Sequence, residues 1–126
     1  MKKFLVTTLV LVLSFSTMNA TNSIEDNKTT TTKYFRLSTF CKMIQSGDYE
    51  AVAAFIKNGT DINRKSMGLT PVMYAARYNR TKILKLLIDK GARLKTKSDK
   101  GHTALDYAKM SKATESYDLL KEALEK

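Results

Sequence analysis

The chain has 126 residues, room for one small domain. Twenty-two Lys and Arg against twelve Asp and Glu give a formal charge of +10, spread along the chain rather than gathered in a block, so acidic proteins and polyanions stay open as partners beside the plainer reading of a solvated basic surface. One cysteine, Cys41, excludes an intramolecular disulfide and a cysteine-rich zinc site, and one histidine, His102, leaves little acid–base or metal chemistry.

Residues 1–20, MKKFLVTTLVLVLSFSTMNA, have a positive start, an apolar run from Phe4 to Leu13 and a polar end at a small residue. That is the three-part pattern of a secretory signal peptide. The apolar run is shorter than the roughly 20 residues a membrane-spanning helix needs. Cleavage is expected after Ala20, although Met18 is large for such a site; an uncleaved anchor and a plain buried segment are the alternatives. The mature chain then loses Lys2 and Lys3 and falls from +10 to +8. It is expected in the periplasm or secreted, with no stable membrane anchor. Met1-Lys2-Lys3 looks bacterial, which leaves the glycosylation pattern Asn27-Lys28-Thr29 without a use.

Residues 21–33 hold one strong apolar residue, Ile24, and read as a flexible leader that cannot bury enough surface to offset its ordering entropy. The folded domain is expected over 34–126. Ser38 is placed to cap a helix ending at Ser46, Gly47-Asp48 to make a tight turn, and Gly59 to end a second helix over 49–58. Met43 and Ile44 are bulky residues on that first helix. Thr70 is expected to cap a helix over 71–79, with Pro71 at its first position, where a missing N–H is harmless. A helix over 82–90 follows, apolar at Ile83, Leu84, Leu86, Leu87 and Ile88 and polar at Lys82, Lys85 and Asp89. The last two helices are expected over 104–111 and 115–124.

The chain matches itself at a spacing of 33 residues. Gly68 pairs with Gly101, Thr70 with Thr103, Ala75 with Ala108, Leu86 with Leu119 and Leu87 with Leu120. A shift of 32 places Ser38 under Thr70 and Gly59 under Gly91. A fixed period of this length marks a repeat architecture. Thr70-Pro71-Val72-Met73-Tyr74-Ala75-Ala76 resembles the ankyrin repeat signature T-P-L-H-x-A-A, and Asp61-Ile62-Asn63 resembles the D-V-N after that family's glycine. The resemblance implies an all-α solenoid of three helix-turn-helix units, about 34–67, 68–100 and 101–126, with short β-hairpin-like connectors. The first unit is the weakest match and reads as a cap or a degraded repeat. The chain departs from the pattern at Met73 and Asp106, which replace the histidine that braces Thr. Cys41 stands in the same place. Arg93 and Lys95 replace an Asp and an Asn, and Asn79 and Lys112 replace a turn glycine. Looser loops are therefore expected.

No sequence pattern for a zinc protease, a nucleophile elbow or a phosphate loop occurs. Cys41 reads as a buried, inert thiol and His102 as an exposed loop residue. Arg77, Tyr78 and Arg80 interleave an aromatic with cations, but no nucleic-acid motif accompanies them and no nucleic acid is expected. No cofactor or metal is expected, and the chain is expected to be a monomer without catalytic chemistry.

The ankyrin resemblance implies a protein partner met by the positions around each repeat glycine and after each Ala pair. These are Ser66, Met67, Leu69, Arg77 and Tyr78 in the central unit. In the third they are Asp99, Lys100, His102, Met110 and Ser111. Tyr, Met and Arg are effective anchors at interfaces; the competing reading is that Met67 and Leu69 only pack between hairpins. The basic connector at 93–100 points to an acidic partner. The expected function is exported protein binding through the concave face. The alternative is an inhibitor or protective partner of a co-exported enzyme, and a small enzyme built on His102 is a distant third.

Overall fold

The structure, a computed structural model, describes residues 37–126. The expected signal peptide, the leader and the first three residues assigned to the repeat domain lie outside them. Six helices run in order among the described residues: α1 Thr39–Ser46, α2 Tyr49–Lys57, α3 Pro71–Arg77, α4 Thr81–Asp89, α5 Ala104–Met110 and α6 Thr114–Glu125. They form three pairs. The first helices α1, α3 and α5 stack in one layer and the second helices α2, α4 and α6 in another, with α3 at the centre of the stack. This is the all-α, three-unit solenoid that the ankyrin resemblance implies.

Each pair turns at a left-handed residue. Gly47 (φ 82°), Asn79 (φ 53°) and Lys112 (φ 57°) occupy that position in the three units. Glycine takes this conformation without penalty and asparagine often adopts it; lysine has no such preference. The turn also explains why α3 and α5 stop short of the expected 79 and 111. The N–H of Asn79 bonds back to Ala76 O and that of Lys112 to Lys109 O, which tightens and closes the last turn.

The helix starts follow local chemistry. Ser38 Oγ accepts the Cys41 N–H at 3.2 Å, and Asp48 Oδ1 accepts that of Ala51 at 3.1 Å. In the third unit Thr103 and Asp106 form a reciprocal capping box: the Thr103 N–H donates to Asp106 Oδ2 at 2.9 Å and the Asp106 N–H to Thr103 Oγ1 at 3.3 Å. The central unit differs from expectation. Thr70 sits at the cap position, but its Oγ1 is buried and has no hydrogen-bond partner among the described residues. The Met73 N–H bonds to Thr70 O at 3.0 Å instead. The Thr70 N–H is met by Met73 Sδ at 3.3 Å. Met73 and Asp106, which replace the family histidine, thus each accept the N–H of their threonine.

The core is one continuous cluster from Phe40 to Leu120. Ala75, Ala76, Ala104 and Ala108 are fully buried, because helices stacked layer on layer approach too closely there for larger side chains. Ile44 is fully buried as well, and Met43 packs against the cluster. Lys82, Lys85 and Asp89 face water.

Two connectors shape the edge beside the first helices. Ser66 and Leu69 pair across a two-residue turn, with bonds of 2.8 and 3.2 Å between their backbones. Met67 (φ 52°) and Gly68 (φ 83°) both lie in the left-handed region, the signature of a type I′ hairpin. The next connector has one more residue. The Ser98 N–H bonds to His102 O at 2.8 Å and the Gly101 N–H to Ser98 O at 2.9 Å, with Gly101 at φ 85°. That is a three-residue loop closed by a glycine bulge. The missing residue in the first connector is thus absorbed at the hairpin tip, where it forces Met67 into a conformation few side chains favour.

Candidate functional site

The two hairpin tips touch. The Asp99 N–H bonds to Gly68 O at 3.1 Å, and Lys65 Nζ lies 3.2 Å from Asp99 Oδ1. A Cβ on Gly68 would come within 2.9 Å of Asp99 Oδ2, so the approach depends on glycine. Behind each tip a tyrosine from the first helix holds the hairpin down. Tyr74 donates to Ser66 O at 2.7 Å, and Tyr107 donates to Ser98 Oγ at 2.9 Å. Tyr74 and Tyr107 are themselves 33 residues apart, so this clamp is built into the repeat. Burial pushes the Tyr74 phenol up to about 12 and keeps it a hydrogen-bond donor.

Between the second and third units a groove of about 580 Å³ runs from the hairpin tips to the C-terminal ends of α3 and α5. Met67, Leu69, Arg77, Asp99, Lys100, His102, Met110 and Ser111 line it, eight of the ten positions singled out from the motif. Gly68, Ser98 and Tyr107 complete the wall. These three were not among the candidates, although the 33-residue match of the tyrosines marks the clamp that brings Ser98 and Tyr107 together. Met67 is 61 % exposed and Met110 53 %, whereas Leu69 is half-buried against the core. Leu69 thus packs against the core, while Met67 stands exposed.

His102 is half-buried rather than an exposed loop residue. Its ring meets Tyr107 edge-on, centroids 5.7 Å apart, and its backbone N–H donates to Ser98 Oγ at 3.2 Å. Ser66 and Tyr78 lie away from the groove. Ser66 Oγ accepts the Ser38 N–H at 2.8 Å, which ties the connector to the start of α1. The Tyr78 hydroxyl accepts from Gln45 Nε2 at 3.1 Å, which turns that ring toward the first unit. Arg77 lies 5.8 Å from the Tyr78 ring, so the neighbours touch while serving different sides of the stack.

Cys41 is fully buried, and desolvation pushes its thiol up, away from the reactive thiolate. No group of three or more metal-binding side chains occurs among the described residues. None of their helices is long and apolar enough to cross a membrane. The arrangement is an open, mostly apolar groove rimmed by charge, and no nucleophile is paired with a base along its wall.

The class is therefore a repeat solenoid whose hairpin tips and first helices border a groove. A model of ankyrin repeats in three copies matches residues 40–125, and the chain belongs to the ankyrin repeat family. Ankyrin repeats mediate protein–protein interaction. No curated protein matches the chain. Among solved structures it is similar to a chain in the predatory endopeptidase Bd0816 from Bdellovibrio bacteriovorus in complex with immunity protein Bd3460. The TM-score is 0.64 at 31 % identity, over 70 % of this chain and 47 % of that one. The chain thus spans about half the length of the chain it is compared with there.

Proposed function

We propose that the chain is an exported, non-catalytic binding protein that seats a partner protein in the groove between its second and third units. The observation that carries this is convergence. Residues from two connectors and two helices, chosen by their place in the repeat, line one groove with two exposed methionines, a half-buried leucine and the cations Arg77 and Lys100. Methionine adapts its shape to a partner and arginine anchors it. Lys100 in the groove and Arg93, Lys95 and Lys97 on the adjoining connector favour an acidic partner. The segment at 1–20 supports delivery outside the cytoplasm.

The test is crosslinking and pull-down in the native compartment, with the chain from Thr21 onward beside its Arg77→Glu, Met110→Asp variant. A partner lost from the variant supports the reading, and equal capture assigns the surface elsewhere. Mass spectrometry of the native protein should find an N-terminus near Thr21; an intact Met1 form in the cytoplasm defeats export.

A second reading is favoured by the similarity to a structure that includes an immunity protein. In it the chain protects its own cell by blocking an enzyme exported beside it. One-to-one saturation with loss of the partner's activity supports this form. A captured partner that keeps full activity leaves only the general binding role.

A further inference from the structure

We propose that the groove recognises a carboxylate set beside an apolar side chain, on an extended acidic segment of the partner protein. This rests on reading the groove as the partner surface. The first observation is charge. Asp99 is the one carboxylate in the wall, and Lys65 already pairs with it at 3.2 Å. Arg77 and Lys100 line the same wall, and neither has an ion-pair or hydrogen-bond partner for its head group among the described residues. Arg80, by contrast, is spent within the fold: its Nε and Nη2 donate to Gln45 O at 3.0 and 2.8 Å, satisfying the C-terminal end of α1. The Arg77 guanidinium presents a planar fork of donors, a geometry suited to a carboxylate held by two parallel bonds.

The second observation is apolar surface. Met67 and Met110 are exposed in the groove beside half-buried Leu69, so an apolar group entering there is covered from both units. The third is length. The seven residues of α3 span about 10 Å at roughly 1.5 Å each, which matches about three extended residues at roughly 3.3 Å each. A loop offering Glu-Leu-Glu or an equivalent triplet fits in length: side chains of an extended segment alternate, so its two carboxylates share one face toward Arg77 and Lys100 while the central side chain turns to apolar groups across the groove.

The test is an NMR titration of the 15N-labelled full chain with acetyl-Gly-Glu-Leu-Glu-Gly-amide, and with the same peptide carrying Gln for Glu. The expected result is saturable shifts at Leu69, Arg77, Lys100 and Met110, with the Gln peptide weaker by about tenfold or more. Arg77→Glu with Lys100→Glu should remove binding and leave circular dichroism unchanged. Equal affinity for the two peptides, no saturable shift at millimolar concentration, or shifts centred on 93–97 overturns the proposal. Loss of partner capture by the groove variants while neither peptide binds overturns the carboxylate reading alone. Peptide binding in the groove with capture intact in the groove variants overturns the groove as the partner surface. Cross-peaks from Ile24 to Leu69 that vanish as peptide is added make the occupant the chain's own Ile24-Glu25-Asp26, and overturn the assignment to a partner.

Discussion

Asn79 Oδ1 accepts two hydrogen bonds from Ser116, one from the hydroxyl at 2.8 Å and one from the backbone N–H at 3.2 Å. Ser116 is fully buried near the start of α6, whose cap residue, Ala113, has no side chain able to receive that N–H. The central unit therefore caps a helix of the third. Asn79→Gly keeps the left-handed turn and deletes the acceptor. It should cost about 1–3 kcal/mol, since buried donors are left unmet. Thermal unfolding should show the loss, with a double-mutant cycle against Ser116→Ala to isolate the pair.

Ala75 is fully buried where the first helices meet. Ala75→Leu should destabilise the stack by about 1–3 kcal/mol through overpacking. Chemical denaturation measures it, and an unchanged midpoint would contradict the repeat register.

Lys112 holds the third unit's turn at φ 57°. It is exposed, so its side chain contributes little packing to offset that strain. Lys112→Gly should stabilise the fold by about 1 kcal/mol, raising the melting temperature by about 4–8 °C. A lower melting temperature would show that the lysine is held by something other than the turn.

Met67 sits in a type I′ turn followed by Gly68, where Asn-Gly is favoured. Met67→Asn should raise stability by a few tenths of a kcal/mol while weakening partner capture. Stability from thermal melts and capture from pull-down should move in opposite directions. Parallel movement would remove Met67 from the binding surface.

Asp106 gives a pH dependence with a definite sign. The Thr103 N–H bonded to its carboxylate holds it below the usual carboxylate range, helped by the Thr103 hydroxyl and by the charges of His102 and Lys109. The folded state therefore favours the ionised form. This contribution is present above the unfolded carboxylate's titration and is lost as pH falls through the lower folded value. Stability should drop on the acid side, and Asp106→Asn should flatten that drop. Melting temperatures from pH 7 down to 3 check it.

The architecture was legible because it is periodic. The 33-residue match, the buried alanines and the apolar runs each repeat, so a reading of one unit carried to the next. Motif positions likewise named most of the groove wall: Met67 and Leu69 from one connector, Lys100 and His102 from the next. What no local pattern contains is the direction of each side chain across units. Arg77 and Tyr78 are adjacent, yet one faces the third unit and the other bonds to Gln45 of the first. His102 follows a loop glycine, yet Tyr107 half-buries it. Thr70 and Thr103 share a motif, yet only Thr103 completes its capping box, because Thr103 Oγ1 accepts the Asp106 N–H while Thr70 Oγ1 has no partner among the described residues. By itself the sequence determined the repeat and the helices, since these follow from spacing and backbone preference, and the family resemblance implied the positions that border the groove. The tertiary structure decided which of those positions share one groove and which are spent joining units, because a hydrogen bond between residues more than 30 apart exists only once the units have stacked.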